Sequence, residues 1–460
     1  VPTGKAIGPS LESLPWGGRG IRRLRALVLV ALGGFAVVSV GKGIANGLQP
    51  GTGSQDLAPV YRAAKLWVSR HNPYVTASDD QWRIATGSSE APPVVVLAAY
   101  STPYPPIALL NASWLCAFGW SQARIAWMAF NLLISVYLAL GLRWLWPGPW
   151  STFGTAALVL WWHCGIGLRV GLGLGQHELL VFACILTALV FHRRDNWLLS
   201  GLFLALSLHK FTWTAFVVPY FVVKRDVRPI LSMILSSALL LLIFLVWPHA
   251  SPRDVIAAYA RELAWWGERS KGGGLSGMGT THLYPVLRLL LAGRAGSVAM
   301  FAIASAGLLV ACYAVARIPK ERDDLPGLEL TAFLSLSLWA TYHGLPDTVL
   351  LILPLLACVG YAGDVERAGG GPRLTTLFTI VLGCMWVIDP TKIARLSGLG
   401  TDHIALRMVD VGYRLAVLLS FCMTVWQLTR EGRSLRNASG ARGPDPAEHS
   451  LDSRSHVRES

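Results

Sequence analysis

Runs of about twenty mostly apolar residues, the length a helix needs to cross a bilayer core of about 30 Å, recur along this 460-residue chain. Ala26 to Ala45, Ala123 to Trp146 and Pro229 to Trp247 are three of them. No soluble domain has an interior large enough for so many. The composition agrees, with 53% of residues hydrophobic and only 14% charged, against roughly 25% charged in an ordinary globular domain. The chain is therefore expected to be an all-α, polytopic membrane protein of about 11 to 13 transmembrane or re-entrant helices.

Forty Lys and Arg against twenty-six Asp and Glu give a net charge of +14. That excess sits between the apolar runs, as the positive-inside rule requires, so no nucleic-acid partner is expected. Arg19, Arg22, Arg23 and Arg25 precede the first run and place residues 1–25 in the cytoplasm. The run itself exceeds the roughly 7–15 residues of a secretory signal core and reads as an uncleaved span. Arg193 and Arg194, Lys224 to Arg228, Arg317 to Arg322 and the tail from Arg430 should face the same side. Residues 26–428 form the membrane domain, and 429–460, polar and poor in large apolar residues, are expected to be a disordered cytoplasmic tail.

The first helix then delivers a polar loop of roughly sixty residues, 46–103, to the outer side. Within it, Leu57 to Val68 has apolar residues at helical spacing and is expected to lie along the membrane surface, with Trp67 and Trp82 at headgroup level. Beyond this loop the count of spans stays open. Treating Tyr104 to Trp120 as a full span would put Arg193 and Arg194 outside. Either that Pro-rich piece dips in and out, or the Gly-rich segment Gly165 to Gly175 hides a half-span.

Between Arg194 and Lys224 lie fewer than thirty residues, too few for two full spans, yet the charge rule wants both ends inside. Two short helices meeting at His209 and Lys210 meet both demands and leave Lys210 at membrane depth. Ionisable residues there usually face a polar cavity or a partner. One long tilted helix with Lys210 snorkelling is the alternative.

Gly171 to Gly175 and Lys271 to Gly279 are glycine-rich but lack the Lys-Ser/Thr ending of a nucleotide loop, and no metal motif appears, so neither nucleotide nor metal is expected. The seven cysteines lie in apolar stretches and read as small helix residues. The ionisable groups near the outer ends of spans are Asp56, His177, Glu178, Lys210, His343, Asp347 and Asp389. Singly, His177, Glu178 and Asp347 could cap the helices that follow them. Together they suggest a polar cavity opening outward, able to do acid-base chemistry on a substrate whose lipid part lies in the bilayer.

Several segments carry a resemblance. Gln55 to Ala64, then Asn72-Pro73-Tyr74, then Tyr104-Pro105-Pro106 resemble the opening of glycosyltransferase family 87, polyprenyl-phosphate-sugar-dependent enzymes of the GT-C class that include mannosyl- and arabinofuranosyltransferases. Gly175-Gln176-His177 is similar to the family's Gly-Gln-x-Asn, Ala205 to Lys210 to its Leu-Lys-Pro region, and Trp339 to Leu353 to its Ser-Trp-x-x-His/Tyr stretch. The likeness spans Leu27 to Leu428. It departs from the pattern at Phe211, where proline is usual, and at His177 and Glu178, where a hydrophobic residue and asparagine are usual.

The resemblance implies an inverting transfer with Asp56, the acid opening the first outer loop, as general base. A polyprenyl-phosphate sugar is already activated, so the reaction needs a carboxylate for the acceptor's proton and cations for the departing phosphate. Lys210 and Arg62 are the candidate phosphate contacts, and His343, His177 and Glu178 candidate contacts to acceptor or phosphate. The expected enzyme is a multi-pass protein of the plasma membrane with both termini cytoplasmic. It takes mannose, or alternatively arabinofuranose, to a cell-envelope glycan or glycolipid outside. The rival from another class is a secondary transporter or lipid-linked sugar flippase, since broken helices with an ionisable residue at membrane depth occur there too.

Overall fold

The computed structural model describes residues 18–74, 102–145, 151–271, 294–318, 326–340, 345–357, 383, 386–387 and 404–441. No strand occurs among the described residues. The helices are α1 (Gly18–Leu48), α2 (Leu57–Val68), α3 (Pro106–Ala112), α4 (Trp120–Leu145), α5 (Thr152–Cys164), α6 (Ile166–Leu174), α7 (Glu178–Arg193), α8 (Trp197–Ser207), α9 (Phe211–Val223), α10 (Arg228–Val246), α11 (Pro252–Lys271), α12 (Arg294–Ala316), α13 (Pro326–Ala340) and α14 (Ile404–Ala441). Tight 3-10 turns occupy Ser113–Ala117, Leu208–Lys210 and Leu345–Leu351. Most of α1, α4, α10 and α12 is long and apolar enough to cross a bilayer. On α10, Leu231, Leu235, Leu239, Leu242 and Val246 remain exposed, as lipid-facing side chains should.

The two ends of the bundle can be told apart by what meets there. Arg25 lies over Phe153, 5.4 Å from its ring centre, and Arg193 donates to the carbonyl of Trp144 at 2.8 Å. The start of α1, the end of α4, the start of α5 and the end of α7 therefore share one end, rich in arginine. At the other end Arg124 donates to the carbonyls of Leu48 and Gln49, and Trp127 donates to that of Gly175 at 3.1 Å.

This resolves the open count. The chain passes from Gly165 into α6 with a 49° bend, so α5 and α6 together make one broken span. Tyr104 to Trp120 does not span, because α3 and the turn after it pack on α2. With that piece kept at the second end, Arg193 and Arg194 fall at the arginine-rich end.

The segment Trp197–Val223 has the length and apolarity of a single span, but its contacts show a hairpin. Lys210 has non-helical backbone angles, φ −125° and ψ 81°, and its ammonium meets Glu178 at the start of α7. Phe221 returns to His192 near the end of α7, with ring centres 5.1 Å apart. Asp226 also reaches His192, at 3.5 Å, and Arg228 reaches Asp195 at 3.1 Å. A continuous helix of that length would hold its ends about 40 Å apart at 1.5 Å per residue. Ser207 and Thr214 hydroxyls, 2.9 Å apart, join the two arms.

Two expectations are corrected. Helix α2 forms over Leu57–Val68 but does not lie open on a surface. Ten of its residues, from Leu57 to Trp67, are buried, because α3, Trp120, Trp127, Phe244 and Val255 close over it. Trp67 is stacked on Phe244, ring centres 5.6 Å apart, and donates to that residue's carbonyl at 3.0 Å. Helix α14 also continues past Thr429 to Ala441. Arg430 packs over Trp426 and Gly432 packs against Arg317, which ties the first turn past Thr429 to the bundle. Trp82 lies outside the described residues.

Candidate active site

The site lies at the end of the bundle opposite Arg25 and Arg193, where segments far apart in sequence converge. Tyr74 donates to the carbonyl of Tyr104 at 3.1 Å, joining Asn72-Pro73-Tyr74 to Tyr104-Pro105-Pro106. The Tyr104 ring then faces His177 and His209, with ring centres 5.5 and 5.7 Å away. His177 and His209 face each other at 4.3 Å, and Trp127 packs on His177 at 4.6 Å. Asn111 of α3 donates to the carbonyl of Leu206 at 3.2 Å and approaches His209 Nδ1 at 3.5 Å.

Asp56 enters from the residue before α2. Its backbone N–H donates to the carbonyl of Leu174 at 2.9 Å, and Gln176 Nε2 donates to its Oδ2. Gly175 makes this approach possible. Its φ of +70° is the left-handed conformation that ends α6, and a Cβ there would lie 2.8 Å from Leu57 Cβ. Gly175→Ala is expected to cost at least about 1–2 kcal/mol from the backbone alone and to move Gln176 off Asp56. Thermal unfolding of the detergent-solubilised protein would measure the loss.

Asp56 keeps a partly exposed edge, yet the atoms packed around it push its carboxyl up to about 6, against the opposing pulls of Gln176 and Lys210. Burial, reinforced by the nearby Asp56, Glu178 and Asp347, likewise pushes the Tyr104 phenol well above its ordinary range. Tyr104 therefore stays protonated.

Lys210, read from the sequence as a phosphate contact at membrane depth, has two acidic partners. At the hairpin tip its ammonium donates to Glu178 Oε1 at 3.0 Å and to Asp347 Oδ1, with the Trp213 ring 5.5 Å away. Glu178 and Asp347 are buried, so the two carboxylates over-balance its charge. Both acids do open helical segments, as a capping role predicts, but their side chains serve the ion pair. Arg62 is buried on α2 with Glu262 of α11 as its electrostatic partner. His343 lies outside the described residues.

The model of glycosyltransferase family 87 matches residues 102–354, more than half of the chain. The chain belongs to glycosyltransferase family 87. Neither a curated protein nor a solved structure matches it. The segment matched to family 87 contains Tyr104, Gln176 to Glu178, His209, Lys210 and Asp347. Asp56 lies before the matched segment and joins it through Gln176 and Leu174. A family 87 glycosyltransferase implies a sugar donor, an acceptor and a membrane setting.

Tyr104, Gln176 and His209 are not among the candidates read from the sequence, where Asp347 is either a helix cap or part of the polar cavity. Their signal was present: each lies in a segment that carries the family resemblance. Hydropathy and spacing do not say which of those segments touch.

Proposed function

We propose that the protein transfers a sugar from a polyprenyl-phosphate donor to a cell-envelope glycan or glycolipid acceptor on the outer face of the plasma membrane, with inversion and with Asp56 as general base. A hexose, mannose first, is the proposed sugar, and arabinofuranose the alternative. The observation that carries the reading is Asp56 itself: a carboxyl with one accessible edge, held by Gln176 beside the buried cluster and raised to about 6. A base tuned close to the working pH is what proton abstraction needs.

In this reading the acceptor hydroxyl attacks the anomeric carbon while its proton passes to Asp56. The bond from that carbon to the phosphate oxygen breaks, and the polyprenyl phosphate leaves with the electron pair. Lys210 holds Glu178 and Asp347 in place and presents its remaining N–H to the departing phosphate. Arg62, with Glu262 as its partner, takes no part. Clustering of arginines at the opposite end supports an outward-facing site by the positive-inside rule.

The test is to reconstitute the full chain in proteoliposomes with an acceptor and labelled polyprenyl-phosphate mannose or arabinofuranose. A new glycosidic bond and free polyprenyl phosphate are expected from one of them. Because the base must be ionised, kcat/KM should rise about tenfold per pH unit up to about pH 6 and then level off. Intact donor in every arm would reject the reading, and labelled donor moved across the membrane unchanged would favour a transporter.

A further inference from the structure

Four buried polar atoms in one small volume have no hydrogen-bond partner among the described residues. They are both ring nitrogens of His177, Nε2 of His209 and Oε2 of Glu178. Each parent residue is 2–4% exposed. Native interiors leave few such atoms unpaired, since each one costs roughly 1–3 kcal/mol, so a group of four calls for a cause. A structural histidine would have found a backbone carbonyl, as His163 does with Val159 at 2.7 Å.

The chemistry of the four narrows what they meet. A neutral imidazole offers one donor and one acceptor, and a carboxylate oxygen only accepts. A phosphodiester has no proton to give, so it cannot satisfy Glu178 Oε2 or the acceptor nitrogen of either ring. Hydroxyl groups fit, because each both donates and accepts. The half-buried Tyr104 ring flanks the pair at 5.5–5.7 Å and offers a flat apolar face for a sugar's C–H groups, while the buried Trp127 backs His177 at 4.6 Å. The neighbouring Gln176 holds the proposed base, which puts these atoms and Asp56 in adjoining parts of one site.

We infer that His177, His209 and Glu178 Oε2 form a subsite, walled by Tyr104, that reads the hydroxyl groups of the sugar being transferred. The inference rests on the donor reading above and adds which residues select the sugar. It also makes His209, absent from the candidates read off the sequence, a specificity residue.

Calorimetry on the purified full chain separates the two readings. The ligands are short-chain polyprenyl-phosphate mannose and arabinofuranose, their monodeoxy analogues, the same lipid phosphate without sugar, and monodeoxy acceptor analogues. For the preferred sugar, removal of at least one donor hydroxyl should weaken binding to the wild type by about tenfold or more. That penalty should largely vanish in His209→Phe and in His177→Phe, which keep a ring and remove the nitrogens, while binding of the sugar-free lipid phosphate stays constant. The wild-type series stands even where a variant fails to fold. No penalty at any donor hydroxyl, or one that survives in both variants, overturns the subsite and leaves the donor reading intact; waters then fill the space. A penalty confined to the acceptor analogues also overturns it. If no lipid phosphate binds at all, the donor reading falls and the subsite with it.

Discussion

Asp56→Asn is expected to lower sugar transfer by about 10²-fold or more while leaving expression and donor binding in place. Asparagine is nearly isosteric, and its side-chain oxygen still accepts the hydrogen bond from Gln176, so the junction between the α2 start and the α6 end should survive. What it cannot do is take a proton. The acid limb of the pH profile, set by a carboxyl at about 6, should vanish with the activity. The measurement is turnover of purified, reconstituted protein alongside donor affinity. Transfer within a few-fold of wild type would remove Asp56 from the mechanism. Loss of donor binding together with turnover would make it a binding residue instead.

Lys210→Met should be the most damaging change to the fold. Methionine fills a similar volume, but it leaves Glu178 and Asp347, both buried, facing each other without the cation between them. Breaking a buried ion pair by removing one partner typically costs about 3–5 kcal/mol, because a charge is left uncompensated. The hairpin tip, the start of α7 and the turn at Leu345–Leu351 are tied together there, so unfolding in detergent should begin at a clearly lower temperature and turnover should be lost. The triple change Lys210→Met, Glu178→Gln, Asp347→Asn should recover much of the stability, since the buried charges go together, but not the activity. Equal stability of wild type and Lys210→Met would show that the ammonium reaches water and leaves the carboxylates little changed.

The way these elements were legible follows from the range of the forces involved. The Arg194 to Lys224 segment was readable as a hairpin because chain length and the cost of placing arginine on the wrong side are local quantities, and the return of Phe221 to His192 agrees. Helix α2 was readable from its apolar spacing, but its burial was not. An amphipathic stripe reports a face that needs covering and does not say that α3, Phe244 and Val255 will also cover the other faces. The helix from Thr429 to Ala441 was not legible for the same reason, since Gly432 and its neighbour Arg317 lie more than a hundred residues apart in sequence.

Among the site residues, Asp56 stood out because the resemblance to family 87 singles out the acid that opens the first outer loop, and a short motif is visible in one dimension. Lys210 stood out likewise, but its meaning did not. Asp347 is 137 residues away and Glu178 is 32 residues away, and nothing local fixes whether an ammonium at membrane depth meets a ligand or two acids.

By itself, then, the amino-acid sequence determined the membrane class and the family segments and favoured the hairpin over one long tilted helix, because hydropathy, charge placement and short motifs act over a few turns of chain. Only the tertiary structure decided that those segments meet at one end of the bundle. There Lys210 is paired with Glu178 and Asp347, and the His177 and His209 rings lie 4.3 Å apart with nitrogens that meet no hydrogen-bond partner among the described residues. The electrostatics of a buried site depend on which charges are neighbours in space, and in a low-dielectric interior that pairing decides what the site can bind.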